Sequence, residues 1–397
     1  MGIIVQKYGG SSVASTEKIR SIAENIISRK DEDTKIVVVV SAMGKTTDEY
    51  IKLAKELSDK PDKRELDVLM STGEMISASL LAMSLNELGH KAVSYNAYQL
   101  DIQTSGLHGK SLINDINVEK IENKLQDNNV VIVTGFQGVN NDGDVTTLGR
   151  GGSDTSAVAL AVKLNGKCEI YTDVDGIYSV DPRKYDKAKK LNEIEYEEML
   201  ELASLGAQVM HSRSIELAQK YGVEIYVGRT CGKEKGTYIR GKGQMNLESK
   251  VITGIAASDD DSAITIKDFK LEDVAGLFED IANKGISVDM ISQTAPIEAR
   301  INVSFTIPKE EVNLCKDIVQ AYSDGDNMLV DNDITKFSLV GLGMKDTSGV
   351  ASKVFKIFKE NNIVVKLITT SDIRITCAID SKEKMIAINK VAGEFNL

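Results

Sequence analysis

Histidine and cysteine are scarce in this chain, with three of the former and four of the latter among 397 residues. His90, His108 and His211 lie far apart without ligand spacing, and Cys168, Cys231, Cys315 and Cys377 are scattered in the same way. The pattern argues against a metal site and leaves solvated or core histidines and free thiols. Cys168 and Cys377 fall inside apolar segments, which suits buried thiols in a reducing cytoplasm. Positive charge is also in deficit: 48 Lys and Arg stand against 59 Asp and Glu, a formal net charge of −11. That balance speaks against a nucleic-acid partner, because phosphate backbones are held mainly by basic surface. No basic segment followed by a long apolar run opens the chain, and no apolar run approaches the roughly 20 residues that span a bilayer. A cytoplasmic protein with no membrane contact is the expectation. Two phosphate-binding motifs are missing as well. Gly9 to Ala14 has no lysine where G-x-x-x-x-G-K-[ST] requires one, and Gly149 and Gly151 are followed by Asp154 where G-x-G-x-x-G needs a third glycine.

What is present reads as an ordinary globular composition, 42% hydrophobic and 27% charged, on a chain too long for one hydrophobic core. Through about residue 230, short apolar runs alternate with helix-like segments. The runs are Gly2 to Lys7, Lys35 to Ser41, Ala92 to Ala97, Val130 to Thr134, Cys168 to Thr172 and Val223 to Val227. Helical periodicity covers Thr16 to Lys30, Glu65 to Leu88, Val118 to Leu125, Asp154 to Leu164 and Tyr196 to Leu202. Ile36 to Val40 and Val130 to Val133 lack polar alternation, so those strands should be covered on both faces. The alternation predicts a three-layer α/β domain with a mostly parallel sheet, whose ligands bind outside the carboxyl ends of the strands.

The loops at those ends carry the candidate chemistry. Leu148-Gly-Arg-Gly-Gly-Ser-Asp-Thr155 precedes an Ala/Val-rich helix. Its glycines let backbone N–H groups approach an anion, the helix N-terminus adds partial positive charge, and Arg150 supplies a two-point fork for a carboxylate or phosphate. A plain turn with Asp154 as N-cap would need neither three glycines nor the arginine. Lys7 leaves the first strand directly into Gly9-Gly10 and Ser11-Ser12, a lysine beside an anion cradle. Glu74, in Ser71-Thr-Gly-Glu74, reads on spacing alone as an acid favoured near a helix start. Met70, Met75 and Met83 suit the apolar face of that helix, and Lys187 to Lys190 a solvated face. Arg229 to Lys250 reads as a linker or exposed hairpin. Beyond it, a shift of 77 residues superposes Phe278 on Phe355, Ile286 on Ile363, Val288 on Val365, Met290 on Leu367 and Ile291 on Ile368. A duplicated small α+β module follows from that match.

Together these motifs, with Thr134-Gly-Phe-Gln-Gly138 and Tyr171-Thr-Asp-Val-Asp-Gly-Ile-Tyr-Ser-Val-Asp-Pro-Arg183, resemble those of the aspartokinases in the same order. The repeated modules resemble the paired ACT domains of that family, so the likeness covers essentially the whole chain. It implies a three-layer αβα amino acid kinase fold of carbamate-kinase type over residues 1–230. A linker over 231–261 would carry a strand able to join the second ACT domain, and ferredoxin-like ACT domains would occupy 262–332 and 333–397. The implied activity is transfer of the ATP γ-phosphoryl group to the β-carboxylate of L-aspartate, with Mg²⁺ held mainly by ATP oxygens and no protein metal site. A carboxylate is already a nucleophile at neutral pH, so the lack of a Ser/His/Asp or Cys/His constellation is expected.

Carried over residue by residue, the resemblance makes Lys7 and Asp154 catalytic. It gives Ser41, Thr47, Glu74, Arg150, Gly151, Gly152 and Ser153 to aspartate, with Arg150 on the α-carboxylate and Glu74 on the ammonium group. Tyr8, Gly9 and Gly10, with Thr172, Asp173, Tyr178, Asp181 and Arg183, would border the nucleotide beside Lys7. Lysine, alone or with threonine, is the implied feedback effector, and a homodimer through the ACT domains, or a pair of such dimers, the implied assembly. Asp273 and Asp289, with Val288 and Thr294, fall where a cationic amino acid would be held, although both acids also read as ordinary loop and strand-end residues. The chain departs from the family pattern at Gly206-Ala-Gln-Val-Met-His-Ser-Arg213, where Gln208 replaces a lysine. It departs again at Lys267-Asp-Phe-Lys-Leu-Glu-Asp273, which lacks a Pro-Gly turn that Thr347-Ser-Gly-Val350 resembles more closely. Rival readings are a kinase of the same fold acting on acetylglutamate or a nucleoside monophosphate, and a non-catalytic ACT sensor.

Overall fold

The computed structural model describes residues 2–30, 33–206, 209–241, 251–322, 327–344 and 347–397. Gln208 lies outside the described residues. The chain forms two compact units: Met1–Ile177, Lys190–Ala203 and Gln208–Met245 make the first, and Tyr178–Lys189, Ser204–Ala207 and Asn246–Leu397 the second.

The first unit begins β1 (Gly2–Tyr8), α1 (Thr16–Arg29), β2 (Thr34–Val40), α2 (Thr46–Leu57), α3 (Lys63–Glu87) and β3 (Ala92–Tyr95). It continues β4 (Ile102–Ser105), β5 (Leu112–Ile116), α4 (Glu119–Gln126), β6 (Val130–Thr134), β7 (Gln137–Val139), β8 (Val145–Thr147) and α5 (Gly152–Lys163). It closes with β9 (Lys167–Thr172), β10 (Glu193–Glu195), α6 (Tyr196–Ser204), α7 (Ser212–Tyr221), β11 (Ile225–Arg229) and β12 (Thr237–Arg240). One large sheet has the order β10-β12-β11-β9-β1-β2-β6-β3, in which the run from β11 to β3 is parallel throughout. The six apolar runs expected as strands are those six parallel strands. β12 pairs antiparallel with β11, so the expected hairpin exists over its first part, while 242–250 lie outside the described residues.

Ile36 to Val40 and Val130 to Val133 are at most 1% exposed, as expected for β-branched strands covered on both faces. On one face Ile36, Val38, Val40 and Ile132 pack against Ile19, Ile22 and Ile26 of α1 and Ala78, Leu81 and Leu85 of α3. Those helix positions recur every three or four residues, the stripe a 3.6-residue period presents to a core. Ser15 caps α1 by accepting the Lys18 N–H. α3 is apolar and long enough to cross a membrane by length and composition, a point the apolar-run reading did not anticipate, but half of that window is buried inside the protein. It is a core helix. Of its methionines only Met70 is buried, whereas Met75 and Met83 are exposed. α2, which the sequence reading missed, buries no residue at all, so its apolar positions give no core-directed signal.

Register matters most for function. Tyr8 lies opposite Val40 and Tyr171, and Val40 opposite Thr134. The loops after β1, β2, β6 and β9 therefore leave the sheet at one level. Beside them a small sheet, β5-β4-β7-β8, ends at Thr147 and feeds Leu148 into the glycine-rich loop.

The second unit contains β13 (Gly254–Ser258), β14 (Asp261–Lys270), α8 (Val274–Asn283), β15 (Ile291–Gln293), β16 (Arg300–Pro308), α9 (Val312–Val319) and β17 (Met328–Asp331). It ends with β18 (Ile334–Val340), α10 (Val350–Glu360), β19 (Leu367–Thr370), β20 (Arg374–Asp380) and α11 (Lys384–Phe395). Two sheets, β15-β16-β14-β17 and β13-β18-β20-β19, share one topology, with β13 taking in the second the place that β17 takes in the first. The first module is thus inserted between β13 and the rest of the second. The 77-residue shift holds in the cores: Leu277 and Ile281 of α8 match Val354 and Phe358 of α10, all buried. Phe355 itself is 43% exposed. Met290 and Leu367 meet Ala263, Ile334 and Ala378 in a cluster joining the modules.

Lys336 on β18 is buried with its Nζ 2.6 Å from Asp261 and 2.7 Å from Asp289. Burial alone would lower its pKa, yet the two carboxylates hold it above the ordinary lysine value. Removing the cation strands Asp261. Lys336→Met should therefore cost about 2–4 kcal/mol of stability, read as a lower urea midpoint; an unchanged midpoint would show that the triad does not hold the modules.

Candidate active site

The post-strand loops of the first unit enclose a cavity of about 280 Å³. Lys7 enters it from β1 and Gly10 from the loop that follows, Ser41, Ala42 and Gly44 from the loop after β2, Thr47 from the first turn of α2, and Glu74 from α3. Phe136 and the stretch Gly149 to Asp154 complete the lining.

Close backbone approaches build this floor. A Cβ on Gly10 would stand 2.9 Å from the Ala42 carbonyl oxygen and 3.0 Å from that of Gly44, so only glycine lets the two loops meet, and the Gly44 N–H donates to Gly10 at 2.9 Å. Gly151 has φ +70° and caps α5, where a Cβ would collide with His211 at 2.3 Å. Phe136 is a non-glycine residue at φ +70°, an uncommon conformation that puts its ring against Gly152.

Two charged arrangements face the cavity. Lys7 is 9% exposed, and its Nζ stands 2.6 Å from Asp154 Oδ1 at the start of α5. That carboxylate oxygen makes no other directed hydrogen bond. Glu74 is 3% exposed; one oxygen accepts the Ala42 N–H at 3.0 Å, while the other is buried without a partner. Burial pushes its carboxyl up to about 7, against the pull of the backbone N–H groups of Glu74 and Ala42. A buried carboxylate with an unpaired oxygen on a residue that lines a cavity could seat a cation. Glu74 sits near the middle of α3, not in its first turn, so the helix-dipole reading of the sequence does not apply. Arg150 lines the same cavity and is otherwise exposed.

Residues 2–229 match the amino acid kinase family, and residues 337–395 an ACT domain. An aspartokinase of Geobacillus stearothermophilus is 44% identical over all of this chain and 98% of its own length. Aspartokinase 2 of Bacillus subtilis is 41% identical with the same coverage. This chain belongs to the aspartokinase family. Among solved structures, Escherichia coli aspartokinase III in complex with aspartate and ADP superposes with a TM-score of 0.84 over 100% of both chains at 22% identity. The Clostridium acetobutylicum aspartate kinase gives 0.81 at 24%, covering 99% of this chain and 100% of its own. Both show that the fold is shared.

Within this aspartokinase the cavity gathers Lys7, Gly10, Ser41, Thr47, Glu74, Arg150, Gly151, Gly152, Ser153 and Asp154 from the sequence expectation. It adds Gly149 and Phe136, which lie in motifs the sequence reading had singled out, and Ala42 and Gly44, which lie between Ser41 and Thr47. Other expected residues stand elsewhere. Tyr8 is fully buried, its ring stacked on Tyr171 at 5.2 Å, because alternation along β1 turns it to the face opposite Lys7. Its side chain is therefore closed to a nucleotide. The Gly9 N–H is committed to the Tyr171 carbonyl at 3.2 Å. Thr172 and Asp173 sit at the carboxyl end of β9, joined by a 3.1 Å hydrogen bond. Tyr178, Asp181 and Arg183 belong to the second unit, where Asp181 takes up the Arg183 guanidinium at 3.0 Å. Lys190, expected on a solvated face, is only 24% exposed and pairs with Asp175 and Glu234. In the second unit Asp289 already holds Lys336, the Thr294 hydroxyl accepts the Asn302 N–H at 2.9 Å, Val288 packs on the first module's core, and Asp273 stands half-buried at the start of α8 without a side-chain cap bond.

Glu74 gives the ligand-free enzyme a pH signature. Its carboxyl is raised from an ordinary 4.5 to about 7, so stability it lends is full below 4.5 and is lost as pH rises through 7, about 3 kcal/mol in all. Glu74→Gln should flatten that part of the profile and leave the ligand-free protein more stable than wild type at pH 8. Parallel denaturation profiles for the two proteins at pH 5 and 8 would refute this.

Proposed function

We propose that this aspartokinase transfers the γ-phosphoryl group of ATP to the β-carboxylate of L-aspartate. The observation that carries the reading is the unpaired, buried oxygen of Glu74 across one cavity from Arg150 and Lys7. A zwitterionic amino acid satisfies both ends: its ammonium group meets Glu74 and its α-carboxylate meets the Arg150 fork. A nucleoside monophosphate has no ammonium group to offer, and acetylglutamate has its nitrogen acylated. Ser41, Thr47, Gly151, Gly152 and Ser153 close around the bound aspartate. The relative solved with aspartate and ADP shares this fold over its full length, which supports the same pair of ligands here.

Chemistry then reduces to positioning and charge. A β-carboxylate oxygen attacks the γ-phosphorus, the bond to the β–γ bridging oxygen breaks, and ADP leaves. No proton need be removed. Lys7 neutralises charge on the transferring group, with Gly10 beside it, and Asp154 keeps the ammonium of Lys7 in place before substrate arrives. Thr172 and Asp173 border the nucleotide. For Tyr178, Asp181 and Arg183 the same role is supported only by their continuity with that loop. Mg²⁺ would be carried mainly by ATP oxygens, as suits an ion that keeps several of its waters and takes few protein carboxylates.

We divide the chain into a kinase domain over 1–230, a linker with the β13 strand over 231–261, and ACT domains over 262–332 and 333–397. Lysine, alone or with threonine, is the effector we assign to the ACT pair, supported by the family and by a relative of this fold solved with lysine and aspartate. A homodimer through those domains, or a pair of such dimers, and a cytoplasmic setting for the buried thiols of Cys168, Cys315 and Cys377 complete the reading.

With ATP and hydroxylamine, aspartate should give a hydroxamate and acetylglutamate none; no aspartate-dependent product would refute the assignment. Lys7→Ala should lower kcat by about 10²–10³-fold while calorimetry still detects lysine binding, and unchanged turnover would remove Lys7 from the chemistry. Titrating wild type with lysine and threonine, separately and together, identifies the effector.

A further inference from the structure

α3 carries a second buried carboxylate, Asp67, about two turns before Glu74 and so on nearly the same side of the helix. Asp67 is 1% exposed and takes no part in the cavity lining. Its Oδ1 accepts the Thr147 hydroxyl at 2.6 Å. Its Oδ2 meets the Thr147 N–H at 3.1 Å, the Gly109 N–H at 3.0 Å and His108 Nδ1 at 2.8 Å. A carboxylate this deep is costly unless saturated in this way, and its bonds reach two segments, Thr147 at the end of β8 and His108–Gly109 beside it. Thr147 is the last residue of β8, three before Arg150. Gly109 abuts the next link: a Cβ on Gly149 would lie 2.7 Å from its carbonyl oxygen. Arg213 grips the same loop from α7, donating to the Leu148 carbonyl at 3.0 Å and the Ser111 carbonyl at 2.9 Å.

We propose that Asp67 is a positioning residue for substrate: by fixing Thr147 to α3, it sets the span between Glu74 and Arg150, and with it the size of amino acid the two can clamp. One rigid helix then carries the ammonium seat directly and the carboxylate fork through Asp67. Arg150 is itself exposed, so it owes its placement to the base of its loop. The inference rests on the proposed clamp and deepens it.

Thr147→Val keeps the backbone bond and removes only the hydroxyl; Thr147→Ser restores it. Thr147→Val should raise KM for aspartate about tenfold or more and leave KM for ATP within twofold, and Thr147→Ser should return the wild-type value. Asp67→Asn should do the same more severely, together with a smaller preference for aspartate over glutamate. In an Arg150→Ala background Thr147→Val should add nothing, because its effect acts through Arg150. A merely structural role would lower the active fraction, leave KM alone and give additive effects, and that result overturns the proposal. If Arg150→Ala leaves KM for aspartate unchanged, the clamp itself fails, a separate outcome from a failure of Asp67 alone.

Discussion

An uncompensated carboxylate in a buried place is the constraint around which the first unit is organised. Leaving one Glu74 oxygen without a partner costs stability in the empty protein, since burial disfavours the ionised form. Such a cost persists only where the surroundings over-determine the position. Here they do: α3 packs on the sheet through Ala78, Leu81 and Leu85, and Gly73 lets it approach so closely that a Cβ there would meet Ala42 at 2.7 Å. The helix cannot move away to hydrate Glu74 without giving up that packing. On the function we propose, the substrate's ammonium group relieves that cost, so selectivity for it would be stored in the fold before substrate binds.

Lys7 and Asp154 follow the opposite logic. Two opposite charges, each about nine-tenths buried, offset one another at 2.6 Å and hold the site neutral until an anionic group arrives. The arrangement depends on the parity of β1. Lys7 faces α5 while Tyr8 faces α1, and a slip of one residue would exchange a charge for a ring in the core. Parallel pairing with β2 and β9 on either side fixes that parity, which is why the lysine can be placed with accuracy on a strand end.

Much of this was legible in the sequence, and the failures have physical causes. Uninterrupted Val and Ile runs marked β2 and β6, because burial on both faces leaves no polar alternation, and shorter apolar runs marked the other four parallel strands. Glycines marked the loops, since Gly10, Gly149 and Gly151 are required by close approach or positive φ. The burial of the Tyr8 side chain was not legible, because a motif names neighbours without saying which face each takes. Glu74 could not be weighed because its importance lies in an oxygen that lacks a partner, which is a property of three dimensions. Asp67 was invisible for the converse reason: its partners Thr147 and Gly109 are remote in sequence, and an acid on a helix gives no sign that it is saturated. α2 and the small sheet were missed where exposure or short strands weaken periodicity.

The duplicated modules carry a topological consequence that the repeat alone did not disclose. Because β13 completes the sheet of the second module, the first is a contiguous insertion, and the second is split around it. The second unit also draws on the kinase sequence. Val180 and Tyr185 lie in its core with Ile255, Phe337 and Phe358, and the Ile255 N–H donates to the Ser179 carbonyl at 2.7 Å. Residues 178–189 follow the loop after β9 and return before β10, so this excursion is tied to that loop by the backbone itself. A cut at residue 230 would strip the apolar side chains of Val180 and Tyr185 of the core they fill. The sequence before residue 230 and the core of the second unit are therefore interdependent by chain path.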